Sequence, residues 1–297
     1  MTDKRQRLAQ AVRNGEFVIA PGVYDGISAR LADRLGFPAM YMTGYGTVAS
    51  HLGLPDAGLA SYTDMVGRVG QIASGTKTPL IADADTGYGG LLNVAQTVRG
   101  YERAGACGIQ IEDQVSPKKC GHTLGREVIP ADEMVLKVRV ACDARKSADT
   151  LIIARTDART HLGLDEAIRR GAAYAEAGAD LIFVESPESH DEIRQIAAAL
   201  APKTKLFMNV VQAGRTPEMP ADELKELGFA VAIYPGAAHK VAAAAIDASY
   251  RYLKDNKTLI DSPTPVWADM HTLMGFPEVW DFDKRWADED AADEAAE

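Results

Sequence analysis

The chain has 297 residues, 46% hydrophobic and 25% charged, with 32 Lys and Arg against 42 Asp and Glu, a formal net charge of −10. That much apolar side chain excludes disorder as the main state, and the length allows one large domain or two ordinary ones. The acidic balance argues against nucleic acid as the main partner. The N-terminal residues 1–17 lack the apolar stretch of a secretion signal and read as a short helix. Eight short apolar runs follow, at 17–21, 39–43, 79–83, 108–112, 151–155, 180–185, 206–210 and 229–234. Between them lie amphipathic or Ala-rich stretches such as 91–104, 164–177 and 237–253. Strands that are apolar on both faces mark a parallel sheet, and eight strand–helix alternations predict an α/β fold of the (β/α)8 TIM-barrel type, preferred over a doubly wound open sheet. Gly105 and Gly178 fall where helices end. Two segments, 44–63 and 114–129, are too long for plain connectors and read as functional loops. The domain reading is a barrel over 1–255, a C-terminal helical extension over 256–286 and an acidic tail over 287–297, whose six acids and no base suit a solvated, mobile end.

No apolar run approaches the roughly 20 residues that span a bilayer, so no membrane partner is expected. Three scattered cysteines, Cys107, Cys120 and Cys142, make no disulfide framework and point to a reducing cytoplasm. Gly44-Tyr45-Gly46-Thr47-Val48-Ala49 loosely fits a dinucleotide fingerprint, but the βα unit and acidic residue that should follow it are missing, and NAD binding is rejected.

Polar residues gather where the apolar runs end: Asp83 and Asp85, then Glu112, Asp113 and Gln114, then Arg155, Thr156 and Asp157, then Glu185 and Ser186, then Asn209. In a parallel barrel these ends converge on the face where chemistry is done. A single acid at such a junction is more often a helix cap, but five junctions in succession point to an active site. Three carboxylates from Asp83, Asp85 and Glu112 would repel one another. A divalent cation relieves that repulsion, and all-oxygen ligands favour Mg2+, or Mn2+, over zinc; Arg155 offers part of the same relief. Cys120 lies in Lys118-Lys119-Cys120-Gly121-His122, among bases that favour thiolate and suit a proton donor or nucleophile.

These motifs, with Tyr41-Met42-Thr43-Gly44-Tyr45 and Leu54-Pro55-Asp56, resemble the isocitrate lyase/phosphoenolpyruvate mutase superfamily over about residues 18–253. The Lys-Lys-Cys-Gly-His run resembles its lyase branch, not the phosphonate mutases. The resemblance implies a (β/α)8 barrel in a homotetramer, with a C-terminal helix exchanged between neighbours, and it implies magnesium. Asp83 and Asp85 would hold the metal, with Asp56 and Glu112 assisting through water. Thr43, Gly44 and Tyr45 would bind a substrate carboxylate. Arg155 would clamp the hydroxy-acid end, with Gly121, Glu185 and Asn209 completing the pocket. Tyr41 is the candidate base, and Cys120 the proton donor, its ionisation set by His122 and Lys118.

The implied reaction is Mg2+-dependent carbon–carbon cleavage of a 2-hydroxy di- or tricarboxylate to a 2-oxo acid and a carboxylic acid, with a small carboxylate as the partner. Thr43, Tyr45, Gln212 and Lys240 depart from the methylisocitrate lyase pattern. Lys at 240 lacks an arginine's bidentate fork, and Tyr45 resembles the dimethylmalate lyase branch, so a smaller dicarboxylate is favoured. Oxaloacetate hydrolysis to oxalate and acetate stays open. Phosphonate chemistry and a catalytically silent metabolite-binding barrel are weaker readings.

Overall fold

The computed structural model describes residues 3–121, 123, 125–212 and 214–294. Eight parallel strands, β1 (Val18–Val23), β2 (Met40–Met42), β3 (Leu80–Asp83), β4 (Gly108–Glu112), β5 (Leu151–Thr156), β6 (Leu181–Val184), β7 (Lys205–Asn209) and β8 (Phe229–Tyr234), form a closed barrel in chain order. β8 pairs with β1 to close it, with Val18 opposite Val231. The helices are α1 (Lys4–Arg13), α2 (Gly26–Arg34), α3 (Gly44–Leu52), α4 (Tyr62–Ser74), α5 (Leu91–Ala104), α6 (Ala131–Ala144), α7 (Arg159–Leu162), α8 (Leu164–Glu176), α9 (His190–Leu200), α10 (Ala221–Glu226), α11 (His239–Asn256), α12 (Met270–Met274) and α13 (Phe276–Glu294). The (β/α)8 expectation holds, with helices present at the C-terminal end.

Two apolar layers hold the barrel. Inside it, Tyr41, Ile81, Ile153, Phe183, Phe207 and Ile233 are buried together, and the Phe183 and Phe207 ring centroids are 5.3 Å apart. Leu8, Ala9 and Val12 of α1 join that cluster beside Val18, Leu151 and Leu181, which begin their strands. α1 therefore covers the N-terminal end of the barrel, and the opposite end is left for chemistry. Outside the barrel, residues such as Met65, Val69, Val98, Tyr101 and Ile193 pack the helices onto the alternate strand residues. Gly105 and Gly178 take φ of 106° and 110° just past α5 and α8, the left-handed geometry that glycine supplies without steric cost.

The segment 44–63, read from sequence as a loop, opens with helix α3. Its Gly-Tyr-Gly start has weak helix propensity, but Gly44, Gly46, Thr47 and Val48 are buried, so packing supplies what propensity lacks. Among its described residues the segment 114–129 carries no helix, and an antiparallel bridge between Gln114 and Val128 pins its ends.

The chain divides into two compact units, residues 1–241 and 242–297; the division falls inside α11, whereas the sequence reading placed it after that helix. The second unit comprises the rest of α11, α12 and α13. It buries Leu273 and exposes Trp267, Trp280, Phe282 and Trp286. α13 runs to Glu294, into the segment that the sequence assigned to the acidic tail.

Candidate active site

Alternate residues of a strand face the same side, and this period builds the site. Ile81, Ile153, Phe183 and Phe207 face the barrel interior. Two residues further on, the same faces carry Asp83, Arg155, Glu185 and Asn209, all buried. Strand register sets their neighbours: Asp83 lies opposite Gln110, Glu112 opposite Arg155, and Arg155 opposite Phe183. Gln110 Nε2 donates to Asp83 Oδ1 at 3.2 Å, Arg155 Nη1 lies 3.3 Å from Glu112 Oε2, and the guanidinium sits 5.1 Å from the Phe183 ring centroid.

Past β3 the chain turns sharply. Asp85 takes a positive φ of 47°, and its backbone N–H donates to Asp83 Oδ1 at 3.0 Å. A non-glycine residue in that region is strained, a feature that collects at functional sites. Lys118 reaches in from the 114–129 segment and places Nζ 2.6 Å from Asp56 Oδ1 and 2.7 Å from Asp85 Oδ1. Gly44 starts α3 beside this cluster; a Cβ there would lie 2.6 Å from Asp83 Oδ2, so only glycine fits.

The cluster carries surplus negative charge. Asp56, Asp83, Asp85, Glu112, Asp157 and Glu185 are buried with Lys118, Arg126 and Arg155, leaving a formal −3 when all are ionised. Burial raises the pKa of Asp83 and Glu112 and pushes Asp85 up to about 6, against the pull of the nearby cations. Burial also opposes the charge on Lys118, but Asp85, Glu112, Asp83 and Asp56 outweigh it and hold its pKa well above the ordinary lysine value. Lys118 is therefore a fixed ammonium.

Arg155 is enclosed by three acids. Its Nε and Nη2 donate to Asp157 at 2.9 Å each, and Nη2 lies 3.4 Å from Glu185 Oε2. Asn209 Nδ2 donates to Glu185 Oε2 at 3.2 Å. Gly121 rides directly on this group: a Cβ would meet Arg155 Nη2 at 2.2 Å and the Glu185 side chain at 2.9 Å. The Ser186 hydroxyl donates to the Gly121 carbonyl at 2.8 Å, and Ser186 is itself at φ 56°. One residue earlier, the Cys120 N–H donates to the Asp56 carbonyl at 3.1 Å. Cys120 is thus held between the aspartate cluster and Arg155.

Two sequence-based roles need correction. Tyr41 is buried, its hydroxyl donates to Gln110 Oε1 at 2.8 Å, and burial with the neighbouring Asp83 raises its pKa well above the ordinary phenol value. It is placed as a proton-holding anchor for Gln110 and Asp83, not as a base. Thr43 cannot offer its amide to a ligand, because its N–H donates to the Val23 carbonyl at 3.1 Å. The first-turn amides of α3 from Gly44 to Gly46, which the Thr43 side chain does not cap, remain for an anion. Tyr45 is half-exposed and stacks on His239, ring centroids 5.4 Å apart at 26°. His122 lies outside the described residues.

Sequence reasoning missed Gln110 and Arg126, and it gave no individual role to Asp157 and Ser186, which it counted among the polar residues at the strand ends. Gln110 had a usable signal, since it stands two residues before Glu112 on an otherwise apolar strand. The roles of the others depend on contacts between distant loops.

Among the described residues no three His, Cys, Asp or Glu groups converge into a metal cage. The donor set nonetheless suits a hard cation that keeps much of its water: the carboxylates are in surplus, the buried Glu112 Oε1 lacks a hydrogen-bond partner, and Asp85 Oδ1 and Asp56 Oδ1 share the single Lys118 ammonium. Asp83 is the least available of the four expected ligands, because its Oδ1 already accepts two hydrogen bonds.

A closed parallel barrel with an acid cluster, a boxed arginine and a thiol-bearing segment at its C-terminal end defines a TIM-barrel enzyme. A family model described as phosphoenolpyruvate phosphomutase matches residues 8–254. The chain is 44% identical to 2,3-dimethylmalate lyase of Eubacterium barkeri, over 95% of this chain and 97% of that protein. It is 38% identical to 2-methylisocitrate lyase of Aeropyrum pernix, over 95% and 89%. A solved oxaloacetate acetylhydrolase, in complex with the inhibitor 3,3-difluorooxalacetate, superposes with a TM-score of 0.90 at 37% identity, covering 96% of this chain and 97% of that one. The chain belongs to the isocitrate lyase/phosphoenolpyruvate mutase superfamily and is a lyase of it.

Proposed function

We propose that this enzyme cleaves a carbon–carbon bond of a 2-hydroxy dicarboxylate of the 2,3-dimethylmalate type, giving a 2-oxo acid and a carboxylic acid, with Mg2+ as its cofactor. The observation that carries this reading is the seating of Cys120 between Asp56 and the Arg155–Glu185 pair, through the Cys120 amide on one side and Gly121 on the other. A proton donor on that segment is carried beside both the acid cluster and the cationic clamp, as cleavage of one bond between two carboxylate-bearing fragments requires.

Asp85 and Asp83, with Asp56 and Glu112 through water, would hold the magnesium, or manganese, ion. When bound, that ion supplies Lewis acidity at the substrate's 2-hydroxyl and adjacent carboxylate. Arg155 grips the same end of the substrate. The free first-turn amides at Gly44 and Tyr45 receive a carboxylate, and Glu185, Asn209 and Gly121 close the wall around it. Glu112 Oε1, buried without a hydrogen-bond partner, takes the hydroxyl proton. As the C2–C3 bond breaks, its electron pair moves onto the departing fragment as an enediolate, and fixed donors meet that charge. Cys120 delivers a proton to the new carbanion, and return of the Glu112 proton to sulfur resets the site. By its place in the sequence His122 assists Cys120, while Lys118 keeps the acid cluster in shape.

A dicarboxylate is favoured over a tricarboxylate because Arg159 and Arg215 are already paired with acids and Lys240 already holds a carbonyl. Lys240 Nζ donates to the Gln212 carbonyl at 3.0 Å, Arg159 is paired with Glu188 and Glu192, and Arg215 is paired with Glu188. A third substrate carboxylate would have to compete with the acids on Arg159 and Arg215 or share the Lys240 ammonium with the Gln212 carbonyl. The second reading, hydrolysis of oxaloacetate to oxalate and acetate, is supported by the oxaloacetate acetylhydrolase likeness. Product analysis by NMR, with Mg2+ and a panel of 2,3-dimethylmalate, other alkylated malates, 2-methylisocitrate and oxaloacetate, decides between them. Lyase products from the malates are expected; oxalate and acetate as the main products would replace the first reading by the second.

A homotetramer with exchanged C-terminal helices is part of the proposal, supported by the exposed Trp267, Trp280, Phe282 and Trp286. A single species of tetramer mass in sedimentation is the expected result. We place the protein in the cytoplasm because its three cysteines, Cys107, Cys120 and Cys142, are too few and too scattered for a disulfide framework.

A further inference from the structure

We infer that Arg126 is a positioning residue that sets Cys120 and Arg155 together, through one shared carboxylate on Asp157. The inference rests on the reading of Arg155 as substrate clamp and Cys120 as proton donor, and it adds a residue which that reading does not contain.

Arg126 ends the segment that carries Cys120, and its side chain is wholly buried. Nη1 donates to Asp157 Oδ1 at 2.5 Å, Nη2 to Thr160 Oγ1 at 2.5 Å, and Nε to the Thr123 carbonyl at 3.1 Å. The same Asp157 receives Nε and Nη2 of Arg155. One carboxylate therefore holds two guanidiniums, one from the thiol-bearing segment and one from the clamp. Asp157 is not free to follow either, because its own N–H donates to Asp113 Oδ1 at 2.8 Å. Asp113 is fixed in turn by Thr156, Tyr174 and Arg170.

This geometry has a directional consequence. Asp157 uses Oδ1 for both arginines, so the place of Arg155 Nη2 depends on Arg126 occupying the other side of that oxygen. The Thr123 carbonyl on Nε turns the chain back toward Cys120, whose carbonyl accepts the Thr123 N–H at 3.0 Å. Gly121 meanwhile sits on Arg155 itself. Removing Arg126 would loosen the 118–126 segment at its far end and shift the clamp by the same stroke. A lysine would keep the charge on Asp157 but lose the fork to Thr160 and Thr123.

The test uses the full chain with Arg126→Gln, Arg126→Lys and Thr160→Val, each checked for native circular dichroism. The first readout is the rate of Cys120 alkylation by iodoacetamide, followed by peptide mass spectrometry without substrate. The second is kcat and KM on whichever hydroxy acid the wild type cleaves. Arg126→Gln is expected to speed Cys120 alkylation at least about fivefold through local opening and to raise KM as well as lower kcat. Arg126→Lys should fall between wild type and Arg126→Gln in alkylation, since it keeps the charge on Asp157 but loses the contacts to Thr160 and Thr123. A residue that only stabilises the fold would lower the melting temperature and leave both readouts unmoved. A folded Arg126→Gln with wild-type alkylation rate and KM overturns the inference. If that variant does not fold, Thr160→Val decides: faster alkylation supports the inference, and an unchanged rate overturns it. The alkylation arm needs no turnover, so a wild type inactive on every hydroxy acid would sink the proposed reaction while the alkylation result still judged Arg126.

Discussion

Cys120 stands one residue before Gly121, whose missing side chain lets the backbone lie against Arg155. That contact brings a polar loop against the clamp one residue from Cys120, which makes Cys120 a candidate acid. Cys120→Ser keeps the volume but exchanges a thiol for a much weaker acid, so turnover should fall by about 10²–10⁴-fold while fold and magnesium binding persist. Steady-state kinetics beside a metal titration check this, and near-normal cleavage by the variant would refute the role. Lys240 tests the substrate argument at the same scale. Its single ammonium is tied to the Gln212 carbonyl, whereas an arginine could hold that carbonyl with one nitrogen and a carboxylate with others. Lys240→Arg should therefore lower KM for 2-methylisocitrate by about threefold or more and leave the dimethylmalate KM nearly unchanged. Equal effects on both would show that Lys240 does not read substrate size.

At the scale of elements, periodicity made the strands legible: 108–112 and 229–234 coincide with β4 and β8, and 91–104 with α5. The acids and amides at the strand ends were legible for the same reason, since a polar residue on an apolar strand has few uses besides chemistry. What stayed hidden depends on partners brought from elsewhere. Tyr41 looks like a base until Gln110 is found accepting its hydrogen bond, and Asp157 is one more strand-end acid until Arg126 and Arg155 are found sharing it. Helix α8 shows how such contacts are supported from behind. Glu166 accepts from Arg169 and Arg170, whose hydrogen bonds outweigh partial burial and bring its pKa down to about 2. Arg170 also donates to Asp113 and to the Ile129 carbonyl, tying α8 to the end of β4. A carboxylate with a depressed folded pKa stabilises above its unfolded value, about 4.5, and loses that contribution as pH falls toward 2. After allowance for solvent screening the contribution is about 1–2 kcal/mol. Glu166→Gln should cost about that much at pH 7 in urea denaturation, with the gap to wild type narrowing steadily below pH 4.5. A gap that stayed constant down to pH 3 would show that the carboxylate charge contributes nothing.

Across the whole molecule, α1 covers one end of the barrel with Leu8, Ala9 and Val12, and the other end collects buried charge with a negative surplus. Apolar packing can carry a local surplus of carboxylates, but the charge remains a standing cost, which burial registers as raised acid pKa values at Asp83, Asp85 and Glu112. A divalent cation binding only the folded state would remove much of that cost and add its own binding free energy, about 2.7 kcal/mol at a hundredfold excess over Kd. For a chain of this size that corresponds to a rise in Tm of about 4 °C. Asp85→Asn separates the two contributions. Without metal it takes one negative charge out of the cluster while Lys118 keeps Asp56 as a partner, so the variant should melt at or above the wild-type temperature in EDTA. With magnesium the order should reverse, because only the wild type retains the Asp85 ligand and gains the shift. Scanning calorimetry of both proteins in EDTA and in Mg2+ gives four melting temperatures, and superimposable wild-type curves in the two buffers would remove the metal from the site.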